Sequence, residues 1–156
     1  MKLLFRQRLF SWLDSYDVYD EEGAVVFTVQ GKLSWGHKLE ISDASGVHRG
    51  TVTEKVVSLL PRFELYEEDA FLGTIRKSFT FFRPKFELDF NGWTVEGDIM
   101  EWDYRILDFS EHLIATVTKE LLHLTDTYVI DVEQPENALR ALMIVLAIDA
   151  EKCSRS

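Results

Sequence analysis

The run Ala138-Leu139-Arg140-Ala141-Leu142-Met143-Ile144-Val145-Leu146-Ala147-Ile148-Asp149-Ala150 is apolar on every side except at Arg140 and Asp149. Pro135 precedes it, at a place where a first helical turn loses nothing by a missing N–H. The spacing predicts a helix over about 135–151. A helix that is apolar all round is buried in protein or in a membrane. A membrane span needs about 20 apolar residues, and this run is shorter, so burial in protein is predicted. Burial on all sides requires walls on all sides. One sheet face cannot supply them, whereas a closed barrel can, and closure also removes exposed edge strands.

The rest of the chain supplies strands for such a wall. An aromatic or Leu, usually a charged residue, then an aliphatic recurs as Tyr16-Asp17-Val18, Leu39-Glu40-Ile41, Phe63-Glu64-Leu65, Phe86-Glu87-Leu88, Tyr104-Arg105-Ile106 and Tyr128-Val129-Ile130. The lead residues are 23, 24, 23, 18 and 24 positions apart. Alternation of this kind is the period of a half-buried strand. A second pattern precedes it, as Phe27-Thr28-Val29, Gly50-Thr51-Val52, Gly73-Thr74-Ile75 and Ala115-Thr116-Val117, with Gly97-Asp98-Ile99 and Leu3-Leu4-Phe5 in the matching places. Six units of two strands predict about twelve antiparallel strands over about 2–132. The fifth unit is short, so its internal link must be tight. Turn formers at Asp20-Glu21-Glu22-Gly23, Asp43-Ala44-Ser45-Gly46, Glu67-Glu68-Asp69 and Asn91-Gly92 separate the units. The repeat alone also fits a two-sheet sandwich; the helix favours the barrel. If the repeated threonines face outward, Gly50, Gly73 and Ala115 face inward, where small residues mark close approach of another element, expected to be the helix.

A chain of 156 residues is expected to form a single domain over 1–156, large enough for a core without staples. One cysteine, Cys153, permits no internal disulfide, and Met1 to Arg8 has no apolar stretch of secretory length. Both fit a cytoplasmic protein. The net charge of −10 disfavours nucleic acid as a partner. It is uneven: residues 1–78 hold 10 basic against 12 acidic side chains, and residues 79–156 hold 7 against 15.

The chain resembles the LURP-one-related proteins, a branch of the tubby C-terminal-like superfamily. The likeness is carried by Arg8-Leu9-Phe10-Ser11-Trp12, Gly31-Lys32-Leu33-Ser34-Trp35-Gly36, Lys55-Val56-Val57-Ser58-Leu59-Leu60-Pro61-Arg62-Phe63 and Phe79-Thr80-Phe81-Phe82-Arg83-Pro84-Lys85-Phe86. Trp93-Thr94-Val95-Glu96-Gly97-Asp98, Asp126-Thr127-Tyr128-Val129 and Ala147-Ile148-Asp149-Ala150 extend it over nearly the whole chain. The resemblance implies a twelve-stranded closed barrel threaded by a hydrophobic helix. Among relatives, tubby proteins bind phosphoinositides, scramblases act on membrane phospholipid, and plant members are linked to defence. No phosphoinositide-site or scramblase calcium motif is present here to carry over.

Links within units hold bases: Arg8, Lys32, Lys55, Lys77 and Lys119 lead them, joined by Lys38, Arg62, Arg76, Arg83 and Lys85. Links between units hold Asp20-Glu21-Glu22, Asp43, Glu67-Glu68-Asp69, Asp108 and Glu111. In an up-and-down barrel this gives one basic and one acidic rim. The helix then enters at the acidic rim, with its positive pole among acids and its negative pole among bases. The candidate binding residues are Lys55, Arg62, Arg76, Lys77, Arg83 and Lys85, able to cradle a phosphate or carboxylate; the plainer reading is a solvated surface. Trp12, Trp35, Phe81 and Phe82 lie in the same links, suited to a membrane interface or, more simply, to covering a barrel end. His37, His48, His112 and His123 lack ligand spacing, and Arg140 and Asp149 each need a partner or an exit to water.

No phosphate loop, nucleophile elbow, Cys/His metal set or dinucleotide fingerprint occurs. The expectation is a non-catalytic binding or scaffold module without cofactor or metal. Its partner would be a protein, an anionic small molecule or a lipid head group, reached by peripheral rather than transmembrane contact. The alternatives are a peripheral binder of phospholipid or phosphoinositide-like head groups through the basic rim, and an enzyme with a surface cleft.

Overall fold

In a computed structural model of the chain, the described residues are 1–6, 15–34, 36–56, 62–78, 85–122 and 125–153. They form twelve strands: β1 (Lys2–Arg6), β2 (Ser15–Tyr19), β3 (Val25–Ser34), β4 (Gly36–Asp43), β5 (His48–Lys55), β6 (Arg62–Glu67), β7 (Ala70–Ser78), β8 (Lys85–Asp89), β9 (Thr94–Asp98), β10 (Asp103–Leu107), β11 (Leu113–Leu122) and β12 (Thr125–Val132). A 3-10 turn, Pro135–Asn137, leads into helix α1 (Ala138–Cys153). Each marker of the repeat falls in its own strand. All neighbours are antiparallel, in the order β8-β7-β6-β5-β4-β3-β2-β1-β12-β11-β10-β9. The first and last strands of that order, β8 and β9, are consecutive in the chain. The wall therefore closes except for a seam there, covered by the edge-to-face pair of Phe90 and Trp93, with ring centroids 4.9 Å apart.

The helix fills the lumen. Eight consecutive residues, Ala141 to Ile148, have no solvent exposure. Since a helix turns once in 3.6 residues, eight in a row leave no open face. Leu39, Ile41, Val52, Leu65, Ile75, Ile106, Val117 and Ile130 line the wall around it, all buried. The outward threonines are partly covered themselves: Thr28 donates to Asp17 at 2.9 Å, and Thr51 lies under His48 with Oγ1 and Nε2 2.8 Å apart.

The small inward residues have two different causes. A Cβ on Gly50 would stand 3.0 Å from the Met143 sulfur and 3.5 Å from Leu139, so this glycine does make room for the helix. Gly73 does not. A Cβ there would run into the carbonyl oxygen of Asp89 and come within 3.0 Å of the Phe90 Cβ. Gly73 thus lets the chain cross close over β7 as it leaves β8, which makes it a device of the seam.

The acidic links repeat one loop three times. Asp20 accepts at Oδ1 from the N–H groups of Glu22 and Ala24, Asp43 from Ser45 and Val47, and Asp108 from Ser110 and His112, all within 2.8–3.0 Å. This is the local chemistry that makes Asp a turn former. The fourth loop residue has positive φ each time: Gly23 at 84°, Gly46 at 81° and Glu111 at 64°. The N–H donors, Val47 first for Asp43 and His112 first for Asp108, hold both carboxyls below the usual range. Their charge therefore supports the fold above the ordinary carboxylate pKa, and that support is lost as pH falls through the lower native one.

Two substitutions test these assignments. Gly73→Leu should destabilise the protein by about 1–3 kcal/mol or more through overpacking, read as a fall in the denaturant midpoint. Glu111→Gly should raise stability by about 1 kcal/mol, since the left-handed conformation costs glycine nothing. An unchanged midpoint for either would remove the corresponding assignment.

Candidate functional site

The basic end is built by the cross-strand register of β5 to β8. Lys55 stands opposite Arg62, Arg62 opposite Arg76, and Arg76 opposite Glu87. Directly opposed residues point to the same side, with Cβ atoms about 4.5–5.5 Å apart. Their chain neighbours Glu54, Phe63, Ile75 and Phe86 are buried, so the row faces outward. Lys85, opposite Ser78, is one step further toward the end on the same face. Three cations side by side repel one another, which a sheet tolerates only with counter-charges near. Lys55 has the largely covered Glu64 at 4.0 Å, and Arg76 has Glu87 at 3.4 Å in a solvent-screened pair of small worth. Arg62, between them, has no ion pair among the described residues.

Lys77 does not join this row. Two residues on from the buried Ile75, it turns inward, 17% exposed, with Nζ 3.9 Å from a carboxylate oxygen of Glu151 in the last turn of α1. Arg83 lies outside the described residues, as do Arg8, Trp12, Trp35, Phe81, Phe82 and His123. Of six candidates, four share one outer face and one faces the interior. Elsewhere, Lys32 and Lys38 both pair with Glu40, at 2.9 and 3.5 Å, and Lys119 lies 3.9 Å from Asp126.

Beneath the row, inside the wall, is a polar floor at the C-terminal end of the helix. Glu54 on β5 is 6% exposed and 3.8 Å from the His37 imidazole on β4; Glu151 and Lys77 complete the group. Burial pushes the Glu54 carboxyl above its ordinary range; His37 opposes this, and the negative Glu151 adds to it. Strand parity with Gly50 and Val52 turns Glu54 inward, so its place in the floor is legible in the alternation of β5 though not in its charge pattern.

Charged side chains near both helix ends have partners on the wall. At the acidic end Arg140 donates to Glu67 at 2.9 Å, with its guanidinium 5.7 Å from the Phe90 ring. At the basic end Lys152 donates to the carbonyls of Ile99 and Met100 at 2.9 and 3.2 Å. Its ammonium also lies 4.0 Å above Trp102, which stacks on Tyr128. Trp102 occupies φ 55°, costly for a bulky residue and sustained here by packing on both faces. This is how the short fifth unit makes its tight link. Deep beside it, burial and then Asp149 raise the Tyr104 hydroxyl well above the usual phenol range, so it stays neutral.

A family profile described as LURP-one-related matches residues 1–149. The chain belongs to the LURP-one-related family. Its relatives include the uncharacterised protein YxjI of Bacillus subtilis (strain 168), 29% identical over 150 residues and spanning 96% of this chain and 92% of that one. A protein of Arabidopsis thaliana solved by X-ray crystallography has a similar fold, with a TM-score of 0.65 and 17% identity over 96% of this chain and 90% of that one. The twelve-stranded barrel around a C-terminal helix is thus shared by a solved structure, and the family likeness read from the chain holds. No helix among the described residues is long and apolar enough to cross a membrane. Among those residues no group of three or more His, Cys, Asp or Glu could hold a metal ion. His48 and His112 instead bond to Thr51 and Asp108.

The polar floor gives this LURP-one-related protein a measurable pH signature. A carboxyl whose native pKa is raised opposes folding when ionised, and the penalty fades as pH falls through that raised value. Glu54→Gln is therefore expected to raise the melting temperature at pH 7, with the gain shrinking toward pH 4. A gain that is the same at both pH values, or a loss at pH 7, would contradict the assignment.

Proposed function

We propose that this protein is a non-catalytic binding module that holds the phosphate or carboxylate of an anionic ligand against the outer face of β5 to β8. The observation that carries the reading is the row Lys55, Arg62 and Arg76, with Lys85 beside it and no acidic partner for Arg62 among the described residues. A flat guanidinium with an open fork is the group best matched to phosphate or carboxylate oxygens. Arg76 can leave its exposed carboxylate at little cost, because such a pair is worth about 0–1 kcal/mol, and Lys55 is only 4.0 Å from Glu64. Lys77, held inside by Glu151, would tune the floor rather than touch the ligand.

A lipid head group and a free phosphate ester present the same chemistry to this row. The filled lumen favours a surface site over an interior one, and argues against catalysis in an enclosed pocket. A cytoplasmic setting suits the lone cysteine and would give access to the anionic face of a membrane.

The test is the paired reversal Arg62→Glu and Arg76→Glu, which spares the inward groups. Wild type should sediment with vesicles containing phosphatidylserine, weakening as salt rises, and the variant should bind at least about tenfold less, at about 1 kcal/mol per basic residue near such a surface. Inositol phosphates binding equally well to wild type would assign the row to a soluble ester instead. If neither vesicles nor phosphate esters distinguish wild type from the variant, the reading falls.

A further inference from the structure

The wall is not equally continuous at every junction. Ten of the eleven hydrogen-bonded strand pairs run for four to eight registered residues. The pair β1–β2 has one, Leu4 opposite Tyr19. Both strands are well engaged on their other sides, β1 with β12 and β2 with β3, so neither is short of structure.

Which peptide groups face the opening follows from the alternation of an antiparallel ladder. Met1 and Val132 exchange both bonds, 2.9 Å from the amino terminus to the Val132 carbonyl and 2.7 Å in return. The main-chain groups of Leu3 and Phe5 therefore also face β12, and those of Leu4 and Arg6 face β2. The Leu4–Tyr19 pairing turns the main chain of Tyr19 and Asp17 toward β1. Continued by two residues, that register would set Arg6 against Asp17. Among the described residues the pairing stops short of them, and their peptide groups face the gap between the two strands.

A groove of about 590 Å³ follows this opening, lined among others by Leu4, Arg6, Asp17, Tyr19, Asp20 and Glu21. Strand edges with unsatisfied peptide groups are templates for another strand. Here the template is flanked by three carboxylates and one guanidinium. Asp17 and Asp20 also accept from Thr28 and from loop N–H groups, which fixes where their carboxylates stand. Leu4 and the partly exposed Tyr19 add apolar surface for aliphatic stems.

We infer that this groove is a strand-addition site for an extended, lysine- or arginine-bearing peptide segment of a partner protein. Peptide bonds supply the affinity, as in other strand additions, and the carboxylates select the basic side chains. The site differs in charge and in strands from the anionic-ligand row, and each can fail alone.

The probe is a synthetic peptide, acetyl-Thr-Val-Lys-Val-Lys-Val-Thr-amide, alongside a version with Glu for both Lys and one with methylated backbone nitrogens. On the full chain the lysine peptide should bind and slow hydrogen exchange at the amides of Arg6 and Asp17. The other two should bind about tenfold less or weaker, the worth of a main-chain or charge-assisted bond. Charge reversal at Arg62 and Arg76 should leave peptide binding unchanged. No binding by the lysine peptide, equal binding by the methylated one, or unaltered exchange at Arg6 and Asp17 would each overturn the inference.

Discussion

The structure depends on burying a helix that has no polar face. Ala141 to Ile148 are closed to solvent on all sides, and each large aliphatic side chain among them contributes about 1.5–3 kcal/mol when taken from water. That gain exists only if the wall surrounds the helix. Strands from both ends of the chain therefore have to meet, and β1 pairs with β12 along its length to bring them together. The two basic residues near the helix ends fit the same demand. Arg140 reaches Glu67 as the helix enters, and Lys152 closes the far end on the carbonyls of Ile99 and Met100. A helix with one polar stripe would have been satisfied by a single sheet.

Much of this was legible in the chain because two simple periods carry it. Side chains alternate along a strand, so Tyr16, Leu39, Phe63, Phe86, Tyr104 and Tyr128 mark six strands, and the threonine-centred triplets mark others. The apolar run marks the helix, whose core begins at Ala138. What periodicity does not encode is distance between elements far apart in sequence. Gly73 looked like Gly50 by parity, yet its neighbour is the backbone of β8 and not the helix. Lys77 looked like Arg76 by composition, yet one step along a strand reverses the face, and that step separates a buried counter-ion from an exposed cation. The charge pattern grouped Lys55, Arg62, Arg76 and Lys85 at one end of the barrel. Only the register separated the groups able to meet a ligand from those serving the interior.

The acidic and basic ends also differ in kind. Asp20, Asp43 and Asp108 are acidic because their loops need a short side chain that accepts two N–H groups, so much of that end's charge is a by-product of turn chemistry. Among the described residues the row Lys55, Arg62 and Arg76 has no such turn chemistry, and only Lys55 and Arg76 have cross-strand carboxylates. None of the three caps a turn, and placing like charges opposite one another costs the sheet stability. A row of like charges that costs stability and satisfies no turn is where function is most economically sought.

A filled lumen moves any recognition to the wall, and the wall offers two unlike places. One is a complete stretch, β5 to β8, where pairing is continuous and the side chains are basic. The other is the interrupted junction of β1 and β2, where peptide groups are exposed and the flanking side chains are acidic. In the order of the sheet β3 and β4 stand between them, so neither place shares a strand with the other. Continuous pairing makes the first rigid, suited to charge placed at fixed spacing. The second can gain hydrogen bonds only by accepting another chain. Closure around one helix fills the lumen, so the two proposed modes of recognition, one through side chains and one through the backbone, both lie on the wall.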